Sequence, residues 1–235
     1  MLKLYSETAA RGGETEMSQI SVYGIPGSPF LRTVEIVLKE KEVAYHLHAL
    51  APGEHKREEY LKRHPFGRVP AFEHDGFAIF ETQAIIRYLD DTFAHPHFTP
   101  ATPRERARMN QIIGIIEWYF FPKAAAPIGF NRIIGPVLLG LAPDEDAIIE
   151  ALPFARTSIA TLDGLLGSKP YLTGESVSLA DLMLAAQLHI FSFCREGRDL
   201  LCDTRLEPWL ERMTARQSFL ATQPPEILRT APLAA

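Results

Sequence analysis

The 235-residue chain carries 24 Lys and Arg against 29 Asp and Glu, a formal charge of -5, so it exerts no general attraction on a polyanion. Nucleic acid and anionic membrane surfaces are therefore poor partners. Its hydrophobic content of 46% is that of a globular protein, its length fits two small domains better than one large one, and no apolar run approaches the roughly 20 residues of a spanning helix.

Residues 1–18 show neither a strand nor a helix period and are expected to be a disordered extension or an upstream start, Met17 lying just before the first strand. The segment also lacks the apolar centre of a signal peptide, which makes the expected location cytoplasmic. Ile20 to Tyr23 is a short β-favouring run closed by the turn cluster Gly24-Ile25-Pro26-Gly27. Ser28-Pro29 then opens a helix, serine as the cap and proline at the first helical position, with Phe30, Val34, Val37, Leu38 and Lys41 on one face. Val43 to Leu47 is expected as a second strand, parallel to the first because a helix connects them.

A charged helical stretch from Glu54 to Lys62 precedes strands at Arg68 to Phe72 and Phe77 to Phe80, separated by Glu73-His74-Asp75-Gly76 with its Asp-Gly hairpin signal. The helix that follows places Ala84, Ile85, Tyr88 and Leu89 on an apolar face and Gln83, Arg87, Asp90 and Asp91 on the opposite one. The order βαβαββα is that of a thioredoxin-like domain over residues 19–93, ended by the proline-rich linker 94–103.

From Arg104 the pattern is helical: Arg104 to about Ala126, Asp144 to Leu166 with a break or kink at Pro153, Ser178 to about Cys194, and Glu207 to Ala215. Ser178 and Asp181 form a capping-box pair, with Val177 and Leu182 as its hydrophobic staple, and the helix behind them is apolar nearly all round, which places it at the centre of a bundle. The fold class is α/β plus all-α, with a helical domain over 104–222 and a C-terminal tail over 223–235.

Several residues carry chemistry. Ser28, at a strand-to-helix turn, either caps the helix or donates a hydrogen bond to a bound thiolate beside the positive helix end. His55 and Lys56 form either a solvated helix face or a carboxylate site. Val69-Pro70 would be trans on local sequence; a cis bond there would turn the Val69 backbone outward to pair with an extended peptide. Glu81 and Thr82 open a helix whose free N–H groups and Thr82 hydroxyl suit an α-carboxylate while Glu81 suits an ammonium, although Glu also favours a helix start for its own sake. Trp118, Tyr119, Phe120 and Phe121 are either bundle core or the apolar wall of a cleft.

Other candidates are structural. His95-Pro96-His97 lies in the linker without further ligands, so no metal is expected, and His189 reads as a satisfied core histidine. The two cysteines, Cys194 and Cys202, match no CxxC or metal spacing and are expected as free packing residues in a reduced compartment. Residues 1–193 hold no thiol, which removes a cysteine nucleophile and dithiol redox chemistry.

The stretch GEHKREEYLKRHPFGRVPAFEHDGFAIFETQAIIRYLD (53–90), together with YGIPGSPFLRTVEIVLKEKEVAY and YLTGESVSLADL, resembles the glutathione S-transferases, most of all the phi class. The resemblance spans nearly everything after residue 19. It implies that Ser28 stabilises the glutathione thiolate and that His55, Lys56, Arg68, Val69, Glu81 and Thr82 bind the tripeptide, with Pro70 a structural cis-proline. Phe30, Trp118, Tyr119 and Phe121 are then the candidates for the electrophile site. Glutathione is implied as co-substrate, with no tightly bound cofactor, a small hydrophobic electrophile as second substrate, a homodimer, and a role in detoxification. Reduction of organic hydroperoxides would use the same thiolate. The alternative is a non-catalytic carrier of hydrophobic ligands or an assembly module. Arg68, Thr82 and His64 stand where the family usually has glutamine or lysine, serine and asparagine. Glu42 replaces a common glycine, where a left-handed backbone would cost about 1 kcal/mol.

Overall fold

The computed structural model describes residues 19–229; the extension read over residues 1–18 and the last six residues of the tail lie outside them. β1 (Ile20–Gly24) runs parallel to β2 (His46–Ala49) and antiparallel to β3 (Ala71–His74), which pairs antiparallel with β4 (Phe77–Phe80), giving the order β2-β1-β3-β4. Between β2 and β3 lie a 3₁₀ turn (Glu54–Lys56) and a single turn α2 (Glu58–Leu61). The helices α1 (Pro29–Glu40) and α3 (Thr82–Thr92) pack on each other, and the apolar stripe of α1 is fully buried at Leu31, Val34, Val37 and Leu38. This is the βαβαββα domain expected from the sequence.

Several boundaries differ, each for a physical reason. β2 starts at His46 rather than Val43, because Ser21 sets the parallel register by pairing with His46. β3 starts at Ala71, after a cis Val69–Pro70 bond, and keeps Glu73 and His74 in the ladder, so the hairpin turn is Asp75-Gly76 alone, both with positive φ. The expected helix from Glu54 to Lys62 is broken at Arg57, whose backbone is extended.

Asp90 is not on a solvated face. It is 1% exposed and pairs with Lys41, whose Nζ lies 2.9 Å from Oδ1 and also donates to the carbonyls of Phe93 and Pro96. The Asp90 carboxylate accepts the N–H groups of Phe98 and Thr99 as well, so a buried ion pair seals the end of α3 against the linker. Burial pushes this carboxyl upward, but the three donors outweigh it and hold it below the ordinary range.

In the second half, α4 (Pro103–Ile115) continues without a break through wide π-helical turns (Ile116–Ala125), α5 (Ala126–Gly129) and further π turns (Phe130–Leu139), and ends at Gly140 with φ 64°. The sequence pattern ends this helix near Ala126, whereas the structure carries it on to Leu139. The wider turns accommodate the missing donors of Pro122 and Pro136. In α6 (Glu145–Leu166), likewise, Pro153 does not end the helix. It sits on the exposed side, where water can reach the freed carbonyl.

α7 (Leu179–Phe191) is the buried centre of the bundle, with its capping box formed. Asp181 accepts from the Ser178 N–H and hydroxyl, the Leu172 N–H and the Trp209 indole, tying α7 to α9 (Leu206–Thr214). Three short helices had no sequence signal: α8 (Arg195–Leu201), α10 (Gln217–Ala221) and α11 (Glu226–Arg229). Cys194 is a buried packing residue as expected, but Cys202 is exposed.

Candidate functional site

Helix α1 is held by both domains. Arg32, 2% exposed, donates to His189 Nδ1 on α7 at 2.6 Å and to the Phe219 carbonyl on α10 at 3.1 Å. Burial and the neighbouring Arg32 push His189 down to about 4, so it is a neutral, hydrogen-bonded core histidine. At the other end, Glu40 takes Arg216 through two bonds of 2.7 Å and Ser218 through one of 2.5 Å. The turn that precedes α1 is thus fixed in position by contacts far from it.

Ser28 caps α1 with extended backbone, φ -66° and ψ 124°, and its Oγ accepts from the Leu31 N–H at a long 3.4 Å. A hydroxyl has two acceptor lone pairs and one donor. Capping occupies a lone pair and leaves the O–H free, so the two roles weighed for Ser28 are compatible. The preceding Gly27, φ 97°, lies under Leu228 of α11: a Cβ there would sit 2.5 Å from Leu228 Cδ1. The residues 226–229, read from sequence as part of the tail, therefore close over the Ser28 turn.

The basic pair is docked onto the start of β3. Lys56 Nζ donates to the Gly67 carbonyl at 2.6 Å, and Gly67, φ 56°, leaves room for the His55 carbonyl and the Lys56 stem where a Cβ would crowd both. His55 is held below its ordinary value by burial and by Lys56, so it is mainly neutral at pH 7, and its Nδ1 is buried without a partner. Arg68 is exposed and its carbonyl accepts the Tyr60 hydroxyl at 2.7 Å, while Val69 is half-buried beside it.

Glu81 is exposed and has φ 72° and ψ 116°, a backbone region that a non-glycine residue rarely occupies and that costs of order 1–3 kcal/mol. The next residue, Thr82, begins α3 and is 4% exposed. Between α3 and the long helix lies a cleft of about 590 Å³ whose lining includes Glu81, Arg87, Asn110, Gly114, Glu117 and Trp118.

The aromatic run divides by direction. Phe120 is core, edge-on to Phe191. Phe121 meets Phe30 edge-to-face, ring centres 4.6 Å apart, which joins the first turn of α1 to the long helix next to Ser28. Trp118, 73% exposed, stands in the Glu81 cleft instead, and Tyr119 is exposed.

Two polar residues in this region had no functional signal in the sequence. His64, noted there only for replacing asparagine, is 2% exposed, has an unpartnered Nδ1, and lies in the electrostatic reach of Glu81, Arg68 and Lys56. Glu117 is concealed within an aromatic run. Burial, then the Glu81 charge, raise its carboxyl to about 7 against the opposing pull of Arg87.

A thioredoxin-like domain with a polar edge at one helix N-terminus, set against a helical bundle, is the class of molecule that fold and site define. Residues 22–97 match the family model described as "Glutathione S-transferase, N-terminal domain", and residues 155–212 match "Glutathione S-transferase, C-terminal domain". Glutathione S-transferase F6 of Arabidopsis thaliana is 33% identical over 170 residues, 71% of this chain and 80% of that one. Glutathione S-transferase 3 of Zea mays is 29% identical over 212 residues, 88% of this chain and 94% of that one. The crystal structure of glutathione transferase F7 from Populus trichocarpa superposes with a TM-score of 0.77 at 26% identity, covering 86% of this chain and 97% of that one. The chain belongs to the glutathione S-transferase family, as a phi-like member.

Proposed function

We propose that the protein conjugates glutathione to hydrophobic electrophiles, with Ser28 as the catalytic residue. The observation that carries this reading is the Ser28 hydroxyl at the cap of α1: its O–H is free to donate to a thiolate while the helix dipole adds positive potential. A cysteine thiol ordinarily titrates near 8.5, and each unit of depression takes about 1.4 kcal/mol of preference for the anion. One charge-assisted hydrogen bond and a helix end supply one to a few such units.

The tripeptide lies extended along residues 19–93. Its glycine carboxylate meets Lys56 and Arg68 with neutral His55 as an N–H donor, its backbone pairs with Val69, and its γ-glutamyl group meets Thr82 and the first N–H groups of α3, with the ammonium on Glu81. The thiolate then attacks the electrophile, held by Phe30 and Phe121 with Trp118 and Tyr119 nearby, in the helical domain 104–222 beyond the linker 94–103. Binding both reactants in one desolvated cleft supplies proximity. Attack on the O–O bond of an organic hydroperoxide would use the same thiolate. A cytoplasmic homodimer fits large apolar side chains left exposed on the protomer, Phe66 at 70% and Phe77 at 50%. No helix among the described residues is long and apolar enough to cross a membrane.

The test is steady-state conjugation against several electrophile classes. Ser28→Ala is expected to lower kcat/KM about 100-fold or more, the scale seen when one hydrogen bond to a developing anion is removed. If the wild type binds glutathione but accelerates no class of electrophile, the carrier reading replaces this one.

A further inference from the structure

Two carboxylates meet in the cleft between α3 and the long helix: Glu81 at the start of α3 and Glu117 from the opposite wall. Neither is neutralised by an ion pair among the described residues. Arg87, the cation of this cleft, instead donates from Nη2 to Asn110 Oδ1, and its Nε is buried without a partner. Glu81 is moreover kept in a strained backbone conformation. His64, 2% exposed, has an Nδ1 without a partner and lies within the electrostatic reach of Glu81. Like charges that share a half-desolvated space are unfavourable for the fold by themselves. They become favourable when a cation with several N–H donors enters, and a primary ammonium has three.

We propose that Glu117 is a second carboxylate for the ammonium of the γ-glutamyl group, facing Glu81 across the cleft, and thereby a specificity residue for glutathione. This inference rests on the tripeptide site described under the proposed function and adds one residue to it. The charged groups acting on Glu117 are Glu81, which favours its protonated form, and Arg87, which opposes that; Gln83 and Asn110 in the same lining are neutral. The free protein therefore carries a partly protonated Glu117 at neutral pH, and an arriving ammonium favours the carboxylate. The proton leaves Glu117 for solvent as the ligand binds.

The probe is S-methylglutathione, which keeps the ammonium but has no thiol, so no thiol proton is released at Ser28. Calorimetric titrations at pH 7 in two buffers of different protonation enthalpy count the protons exchanged. The wild type is expected to release roughly half a proton per ligand bound, the fraction held by a group titrating at about 7. N-acetyl-S-methylglutathione, whose ammonium is gone, is expected to bind about 10-fold more weakly and release none. Glu117→Gln is expected to bind S-methylglutathione several-fold more weakly without release. Binding of S-methylglutathione to the wild type with no proton released, or release unchanged in Glu117→Gln, overturns the role of Glu117 and leaves the tripeptide site standing. Failure of S-methylglutathione to bind the wild type overturns both.

Discussion

Replacing Asp90 by asparagine tests how the thioredoxin-like half is held to the segment that follows α3. The wild-type carboxylate offers Oδ1 to Phe98 N–H at 3.0 Å and to Lys41 Nζ at 2.9 Å, and Oδ2 to Thr99 N–H at 2.8 Å. Asparagine has one oxygen, so in either orientation its NH₂ group faces a buried donor. At least one backbone N–H then loses its acceptor, a cost of about 1–3 kcal/mol, and the Lys41 ammonium, with a fully buried side chain, loses its counter-charge. Carbonyls of Phe93 and Pro96 keep Lys41 partly solvated, which places the total near the usual 3–5 kcal/mol for breaking a buried pair. Urea denaturation followed by both far-ultraviolet circular dichroism and tryptophan fluorescence measures it, coincident curves validating a two-state treatment. The Asp90 carboxyl is depressed in the folded state, so the stabilisation is fully present above its ordinary value of 3.8 and is lost as pH falls through the lower folded value. The gap between wild type and variant is therefore constant near neutrality and closes below about pH 4. A loss under about 1 kcal/mol at pH 7 would refute this account of the pair.

Three further predictions follow from single residues. Glu117→Gln is expected to leave stability unchanged at pH 4, where the carboxyl is protonated folded or unfolded, and to stabilise the protein by about 1–2 kcal/mol at pH 8. The ceiling for a carboxyl raised from 4.5 to about 7 is about 3.4 kcal/mol, which water at this half-exposed group reduces; melting curves across pH that stay parallel would contradict it. Glu42, with φ 55°, relieves its backbone when changed to glycine, for a gain of up to about 1 kcal/mol in urea; a loss would mean that the side chain makes an interaction which outweighs the strain. Gly27→Ala puts a methyl 2.5 Å from Leu228 at a positive φ, and is expected to destabilise by at least about 1 kcal/mol and to speed protease cleavage after residue 222; unchanged cleavage would show that α11 does not depend on this contact.

The elements legible in the sequence are those whose signals are local. Ser28-Pro29 fixes the start of α1, Asp75-Gly76 the hairpin, and Ser178 with Asp181 the cap of α7, because each pattern carries its own geometry. Elements fixed by partners were not legible. The start of β2 depends on pairing with Ser21, and Asp90 reads as a surface residue until Lys41, 49 positions earlier, is brought to it. Pro153 reads as a break or kink in α6, where solvent exposure absorbs its missing donor and the helix runs on. For the site, residue types at the helix starts were readable from motif and chemistry. Glu117 was not, because nothing in an apolar run says that one carboxylate turns toward Glu81.

The central claim is that Ser28 ionises bound glutathione. A titration of wild type and Ser28→Ala with glutathione near pH 7, recording thiolate ultraviolet absorbance together with binding heat, tests it directly. Alanine at the cap costs about 0.5–2 kcal/mol of stability, so thermal melts confirm that the variant is folded at the assay temperature. The account predicts thiolate absorbance in the wild type, and in Ser28→Ala binding without it. Equal thiolate signals in both proteins, or wild-type binding with none, would reduce Ser28 to a helix cap.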